Sequence, residues 1–117
     1  MIRHINESGS INISASVYTE IAGTAASNCF GVKGMAARSV KDGVYRLLRK
    51  ESAGKGVRVI FHEDGTISID LHIMVDNGVN LTAVGASIIS EVRYVVGKCT
   101  GTEVQAVNVY IDSMMIG

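Results

Sequence analysis

Two histidines and an aspartate are the residues whose types and spacing could carry acid–base chemistry. His62 and His72 fall at polar positions of two stretches that alternate polar and apolar residues, and Asp70 lies two positions before His72. Residues two apart on a strand share a face, so Asp70 and His72 would lie side by side. An imidazole beside a carboxylate can transfer protons or bind a metal ion. Ordinary residues on the polar face of a hairpin have the same pattern, and we expect that simpler role.

The other candidate groups also lack a catalytic or metal-binding pattern. Glu63 and Asp64 precede Gly65, a combination typical of a hairpin turn. Cys29 and Cys99 belong to no Cys-x-x-Cys motif, so we expect buried, reduced thiols, although the spacing does not say whether they pair. The sequence contains no Walker loop, dinucleotide-binding, nucleophile-elbow or zinc-protease motif. We therefore expect no enzymatic activity, no cofactor and no metal ion.

Gly31-Val32-Lys33-Gly34 is a short motif that could contact nucleic acid. The pattern predicts a loop between two helices, with Lys33 as the cation inside it. KH domains use a Gly-x-x-Gly loop of this kind to hold a nucleic-acid backbone. Because the chain has 13 glycines, such a pair also arises by chance. RNA binding through Gly31, Val32, Lys33 and Gly34, with the basic helix that follows, is the alternative function.

Positive charge is concentrated in the middle of a chain whose formal net charge is zero. Between Lys33 and Arg58 stand eight basic and two acidic residues, whereas the rest of the chain has three basic and nine acidic ones. Such a segment suits an anionic partner, although a solvated helix face has the same composition. Head-to-tail contact between two copies would also use this asymmetry. The residues expected to contact a partner are Lys33, Arg38, Lys41, Arg46 and Arg49.

Three stretches have the apolar spacing of amphipathic helices. The first covers about Ala15 to Asn28 and follows Ser14, a residue suited to the N-cap position. The second runs from Met35 to Arg49. The third begins after Asn80 and ends at Gly101. The apolar stripe of the first helix is Val17, Ile21 and Ala25, widened by Ala22. That of the third is Leu81, Val84, Ile88, Val92, Val95 and Cys99, widened by Ile89 and Val96.

Alternating residues predict four strands, two of which form a hairpin. The outer two cover Ser10 to Ile13 and Val107 to Asp112, and the hairpin joins Val57–Phe61 to Ile67–Val75. A three-residue loop, Glu63-Asp64-Gly65, keeps the apolar residues of both strands on one face if Gly65 has a positive φ. The predicted pairs are Phe61 with Ile67, Val59 with Ile69, Val57 with Leu71 and Arg58 with Asp70.

The predicted order β-α-α-β-β-α-β favours an α+β domain. We expect two layers, in which helices cover one face of a mixed or antiparallel sheet of about four strands. The 117 residues suffice for one domain, residues 1–117, with a core at about 10–112. No apolar run is long enough to span a membrane, and Met1 to His4 is not followed by the apolar block of a signal peptide. We therefore expect a cytoplasmic protein.

Short motifs in a fixed order run through nearly the whole chain. They are Ile11-x-Ile13-Ser14, Phe30-Gly31-Val32-x-Gly34-Met35, Lys55-Gly56-Val57-x-Val59, Asp64-Gly65, Ile69-x-Leu71-x-Ile73-x-Val75-x-x-Gly78-Val79-Asn80-Leu81, Thr100-Gly101-x-x-Val104 and Val107-Asn108-Val109. This set resembles the alkaline shock protein family of Gram-positive bacteria, whose members are described as envelope stress response proteins. The resemblance extends from about Ser10 to Asp112. The chain departs from the family in lacking a proline just after Asn80 and in having Glu91 as the one acid of its long helix.

The resemblance implies a non-enzymatic cytoplasmic binding or scaffold protein of the envelope stress response, acting through protein–protein contacts. It also implies that copies assemble and that a small membrane-anchored relative recruits the protein to the membrane. The family has no established catalytic residues, so the resemblance assigns none to this chain.

Overall fold

The computed structural model describes residues 2–6, 8–38, 45–47 and 56–115, which form two helices and seven strands. The elements are β1 (Ile2–Asn6), β2 (Gly9–Ile13), α1 (Ala15–Ser27), β3 (Val32–Arg38), β4 (Tyr45–Leu47), β5 (Val57–Phe61), β6 (Ile67–Asp76), α2 (Leu81–Thr100) and β7 (Val104–Met115). The helices pack against a five-stranded mixed sheet, so the predicted two-layer α+β class is confirmed.

Strand β6 is the centre of the sheet. It pairs antiparallel with β5 near its start and with β3 near its end, and it runs parallel to β7 on its other edge. Strand β4 extends the sheet beyond β3. Five alternate residues of β6 are fully buried under the helices, which explains why the apolar pattern was so clear in the sequence: Ile67, Ile69, Leu71, Ile73 and Val75.

The β5–β6 hairpin has the predicted loop and register. Its pairs include Phe61 with Ile67 and Arg58 with Asp70, and Gly65 has φ +88°. The turn acid Asp64 accepts hydrogen bonds from the backbone N–H and the hydroxyl of Thr66, at 3.0 and 2.7 Å. These two bonds lower the pKa of the Asp64 carboxyl. Its role is therefore that of a turn residue, as predicted.

Helix α2 has the predicted ends, and Val84, Ile88 and Val92 of its predicted stripe are buried. The Asn80 side chain accepts a hydrogen bond from the Ala83 N–H at 3.0 Å, and Gly101 ends the helix with φ +71°. The buried residues recur every four positions, namely Val84, Ile88, Val92, Val96 and Thr100. Leu81 and Cys99, which the predicted stripe included, are exposed. Because an α-helix has 3.6 residues per turn, a stripe of residues spaced strictly four apart winds gradually around the helix. It therefore departs from the straight face that residues spaced alternately three and four apart would occupy.

Helix α1 ends one residue earlier than predicted, and of its predicted stripe Ala25 is buried, Ile21 is partly buried and Val17 is exposed. Tyr18 and Ala22 are fully buried, whereas Val17 is 43% exposed. The Tyr18 hydroxyl forms a hydrogen bond with the Thr102 hydroxyl at 2.7 Å, which ties α1 to the loop after α2. Because the remaining buried residues are small, α1 packs against both α2 and the sheet. Ser14 occupies the N-cap position, but its side chain does not bond the helix N–H groups.

The predicted helix from Met35 to Arg49 is wrong in its described part. Residues up to Arg38 belong to β3, and Tyr45–Leu47 forms β4; residues 39–44 and 48–50 lie outside the described residues. The backbone N–H and C=O groups at the end of β6 need hydrogen-bond partners, and β3 provides them. Met35 of β3, for example, lies opposite Ile73 of β6. Such tertiary pairing overrides local helix spacing, particularly in short apolar runs.

The strand predicted at Ser10 to Ile13 is present as β2, but it does not join the main sheet. It pairs with β1, a strand that the sequence pattern did not reveal, as a separate two-stranded ribbon. The last strand extends further than predicted, to Met115. Neither helix of the described chain is long and apolar enough to cross a bilayer.

Candidate binding surface

Polar side chains occupy the face of β6 that points away from the helices. His62 at the hairpin end forms a 2.7 Å hydrogen bond with the Ser68 hydroxyl. Asp70 accepts a hydrogen bond from the Asn108 side-chain amide of β7 at 2.9 Å. Opposite Asp70 on the other side stands the exposed Arg58 of β5. Cross-strand polar pairs of this kind stabilise a sheet surface.

His72 does not use Asp70, its expected neighbour, but Asp112. The Nδ1 atom of His72 lies 2.8 Å from Oδ2 of Asp112, whose side chain is 12% exposed. The imidazole also stacks on the Tyr110 ring, with the ring centroids 4.9 Å apart. A carboxylate that holds Nδ1 orients the ring and leaves Nε2 available, which is the base half of a catalytic arrangement. No hydroxyl or thiol of the described residues is hydrogen-bonded to His72.

The structure therefore separates the three residues that sequence spacing grouped. His62, Asp70 and His72 each bind a different partner, namely Ser68, Asn108 and Asp112. Within the described ranges, no three His, Cys, Asp or Glu side chains are arranged to hold a metal ion. Sequence reasoning missed Asp112 because its contact depends on β7 lying beside β6. The alternation of Asn108, Tyr110 and Asp112 was the signal that they share a face.

The turn between α1 and β3 presents the most exposed large apolar side chain of the described chain. Phe30 is 91% exposed. The next residue, Gly31, is buried and has φ +89°. Its carbonyl oxygen accepts a hydrogen bond from the Asp76 N–H at 2.9 Å. A Cβ atom on Gly31 would lie 3.0 Å from Cγ2 of Val84, so a close approach to α2 fixes this turn.

The Gly31–Gly34 motif does not form the predicted loop between helices. Val32, Lys33 and Gly34 belong to β3, where Val32 pairs with Val75 and Gly34 with Met74. Gly31 forms the tight turn before β3, and the pairing register of β3 with β6 shifts between Val32 and Gly34. A backbone held in a sheet ladder is not an open loop, so the predicted loop between two helices is wrong, whereas contact of these residues with RNA stays a prediction.

The proposed basic contact residues are only partly within the described chain. Lys33 is exposed and forms a surface ion pair with Asp76, with Nζ 3.2 Å from Oδ1. Arg38 lies at the end of β3 and Arg46 in β4, not on one helix face. Lys41 and Arg49 lie outside the described residues. The helix predicted from Met35 to Arg49 is therefore wrong at Arg38 and Arg46, whereas partner contact by these residues stays a prediction.

The two cysteines are free thiols in different surroundings. Cys29 is partly buried at the end of α1, and its Sγ atom lies 3.5 Å from the Ala25 carbonyl oxygen. Burial, with a smaller contribution from the negative charge of Glu91, raises the pKa of the Cys29 thiol. Cys99 is exposed, so the expectation of two buried thiols is wrong for Cys99.

Together these features define a small α+β domain with a polar sheet face and an exposed aromatic turn. A profile of the alkaline shock protein family, described as having a cell envelope-related function, matches residues 3–116. The chain therefore belongs to this family, which confirms the resemblance carried by its sequence motifs.

Curated relatives support the same assignment. The chain is 37% identical over 109 residues to the uncharacterized protein YloU of Bacillus subtilis, covering 92% of this chain and 90% of YloU. It is 35% identical over 109 residues to Spy1614 of Streptococcus pyogenes, covering 92% and 89% of the two chains. It is 34% identical over 103 residues to YqhY of Bacillus subtilis, covering 88% and 75%. No solved structure matches this chain significantly.

Proposed function

We propose that this protein is a non-enzymatic binding or scaffold module that serves the cell envelope by docking on a partner protein. The observation that carries the proposal is the exposure of Phe30, whose side chain is 91% accessible to solvent. Complete burial of a phenylalanine side chain contributes about 1.5–3 kcal/mol. Aromatic anchors of this type dominate the energetics of many protein interfaces.

The α1–β3 turn is built to hold Phe30 in a fixed place. Gly31 is buried against Val79 and Val84, and its carbonyl oxygen is bound by the Asp76 N–H. A partner that receives Phe30 would therefore immobilise little additional backbone. A preorganised anchor loses less conformational entropy on binding than a mobile one.

The charge of the sequence that follows this turn favours an acidic partner surface. Lys33 follows Phe30 by three residues and starts the segment that carries eight basic and two acidic residues. Its ion pair with Asp76 is half-exposed, and such pairs stabilise a protein by at most about 1 kcal/mol. Lys33 can thus exchange Asp76 for a carboxylate of the partner at small cost. We include Arg38, Lys41, Arg46 and Arg49 in the proposed contact surface.

The cellular part of the proposal comes from the family. The alkaline shock protein family is described by a relation to the cell envelope and not by a reaction. We propose that the protein resides in the cytoplasm and that a membrane-anchored partner recruits it to the envelope. The paired polar residues of the sheet face then stabilise the fold, and the aromatic turn makes the contact.

Site-specific photo-crosslinking in the native cells tests this proposal. A photoreactive phenylalanine analogue replaces Phe30 in one variant and Tyr94, which is 62% exposed on α2, in the matched control. We expect position 30 to crosslink to one envelope protein and position 94 to leave that protein unlabelled. Lys33→Glu should reduce the yield from position 30, whereas Lys98→Glu should not. Identical products from both positions, or products containing only RNA or lipid from position 30, would contradict the proposal.

A further inference from the structure

Strand β7 forms an edge of the main sheet that no other described strand covers. It pairs with β6 alone, and the register between the two strands is unbroken from Ala106 to Ile111. Just before this stretch, Arg93 of α2 donates a hydrogen bond to the Gln105 carbonyl oxygen at 3.4 Å. An uncovered edge exposes a row of backbone N–H and C=O groups, and β7 contains neither the proline nor the lysine that often protects one. We call the outer side of Ala106–Ile111 the β7 edge.

Tyr110 gives the β7 edge an exposed aromatic surface. Its ring stacks on the imidazole of His72, the residue paired with it on β6, with the ring centroids 4.9 Å apart and the planes 14° from parallel. This spacing is close to the distance between neighbouring strands, so the two rings continue the direction in which strands are added. His72 covers one face of the Tyr110 ring. The opposite face is turned toward the place of an added strand, and Tyr110 is 47% exposed.

The charge beside the Tyr110 ring is negative. Asp112 shares a sheet face with Tyr110, and His72 balances its carboxylate only when the imidazole is protonated. The segment from Glu103 to Asp112 contains two acids and no basic residue, and Arg58 of the same face stands two strands away on β5. A cationic side chain on the free face of the ring would be attracted by both the ring and the carboxylates. The β7 strand of a second copy would instead bring acids against acids.

The other face of the β7 edge is apolar. Val109 and Ile111 share the face of the buried Val107 but are themselves only partly buried. An apolar side chain on an added strand would cover more of their surface. Because side chains alternate between the two faces of a strand, a strand that fits this edge alternates basic and apolar residues.

We propose that the β7 edge binds an extended segment of a partner protein in which basic and apolar residues alternate. The segment extends the main sheet by one strand and obtains its affinity from main-chain hydrogen bonds. Its basic side chains lie beside Tyr110, and its apolar side chains lie beside Val109 and Ile111. The contact uses neither Phe30 nor Lys33, so it is independent of the docking proposed for the α1–β3 turn.

A synthetic peptide with blocked ends, Val-Arg-Val-Arg-Val-Arg-Val, is the probe for this site. It is titrated into the isotope-labelled full-length chain, and binding is followed by the shifts of backbone amide NMR signals. We expect the shifts to be concentrated in residues 106–111. The control peptides Val-Val-Arg-Arg-Arg-Val-Val and Val-Glu-Val-Glu-Val-Glu-Val should not bind, because the first lacks the alternation and the second has the wrong charge.

Methylation of the peptide amides tests the main-chain contact directly. Only alternate amides of an added strand face β7. Methylating either the three arginine amides or the internal valine amides should therefore abolish binding, and methylating the other set should leave it intact. This comparison uses the wild-type protein, so it does not depend on the folding of any variant.

Three substitutions test the residues of the edge. Tyr110→Ser should weaken binding about 2- to 5-fold by removing the ring, whereas Tyr110→Phe should retain it. Asn108→Lys should abolish binding, because it places a cation at an exposed position of the edge. The matched control, Ser90→Lys, adds the same charge to the exposed face of α2 and should bind as the wild type does. Circular dichroism melting checks that each variant is folded.

Several results would overturn the proposal. They are the absence of binding at all accessible peptide concentrations, equal binding of a control peptide, equal effects of the two methylated sets, and shifts that lie outside β7. Signals of residues 106–111 that move with protein concentration alone would show that a second copy occupies the edge, which also contradicts the proposal. Phe30→Ser should bind the peptide unchanged, which separates this test from that of the docking proposal.

Discussion

Gly31 supports the candidate binding surface through both its backbone conformation and its surroundings. Its φ of +89° lies in the region that residues with a side chain rarely adopt, and α2 and the loop before it leave no space for a Cβ atom. Gly65 has nearly the same φ, +88°, but nothing lies within 4 Å of its Cβ position. A side chain at Gly65 would meet only the unfavourable backbone conformation, whereas one at Gly31 would also collide with neighbouring atoms.

Replacing these glycines with alanine should have unequal effects. Gly65→Ala should lower the free energy of unfolding by about 1–2 kcal/mol, the cost of a left-handed conformation. Gly31→Ala should lower it by about 2–4 kcal/mol, because Val84 must also move. Urea unfolding of both variants measures the difference. Equal losses would show that the Gly31 turn is not held by contact with Val84.

The two thiols should differ in reactivity and in their response to pH. Because burial raises the pKa of Cys29, its reactive thiolate forms at higher pH than that of an ordinary thiol, and the exposed Cys99 should react first with a disulfide reagent. Cys99→Ser should remove the fast phase and Cys29→Ser the slow one. A fast phase that survives Cys99→Ser would contradict this assignment.

The raised pKa of Cys29 also makes the free energy of unfolding depend on pH. The unfolded thiol ionises first as pH rises, so the contribution of Cys29 is complete below the unfolded pKa and is lost as pH rises through the folded pKa. The difference in unfolding free energy between wild type and Cys29→Ser should therefore shrink above about pH 8.5. A difference that grows with pH would contradict the assigned direction.

At the scale of elements, sequence reasoning succeeded where the structure is local. The register of β5 and β6 depends on one three-residue loop, and the ends of α2 depend on Asn80 and Gly101, so short patterns contained enough information. Strand β3 could not be predicted, because its conformation depends on a partner about forty residues away in the chain. The contact of His72 with Asp112 was hidden for the same reason, since parallel pairing of β6 and β7 has no local signal.

Helix packing predicts contrasting effects for two valines. Val92 is fully buried on α2, so Val92→Asp should cost at least about 4 kcal/mol and abolish cooperative folding. Val17 belonged to the predicted apolar stripe of α1 but is 43% exposed, so Val17→Asp should cost less than about 1 kcal/mol. Thermal melting followed by circular dichroism compares them. A stable Val92→Asp variant would mean that the buried face of α2 is misassigned.

The hydrogen bond between Tyr18 and Thr102 joins α1 to the loop between α2 and β7. Both residues are buried, so Tyr18→Phe should cost about 1–3 kcal/mol by leaving the Thr102 hydroxyl without a partner. The control Tyr110→Phe removes a hydroxyl from a half-exposed ring and should cost less than about 0.5 kcal/mol. Unfolding of Tyr18→Phe, Thr102→Val and the double variant gives the coupling energy. A coupling near zero would contradict a direct bond.

At the scale of the whole molecule, the described residues that do not stabilise the fold lie on the surface. The core uses the buried faces of α1, α2 and β6, and the polar residues of the sheet face bind one another. Phe30 and Lys33, which are both exposed, contribute nothing to this core. Composition revealed the basic segment, but only the coordinates revealed the exposure of Phe30, because exposure is a property of the folded chain.

The central claim is that Phe30 docks the domain on an envelope protein. The most direct measurement is purification of the tagged protein from crosslinked native cells, with co-purifying protein and RNA quantified per copy for wild type, Phe30→Ser and Tyr94→Ser. We predict one envelope protein in amounts comparable to the bait for wild type and Tyr94→Ser, its loss in Phe30→Ser, and RNA at background in all three. Equal recovery of that protein with Phe30→Ser, or enriched RNA without it, would contradict the claim.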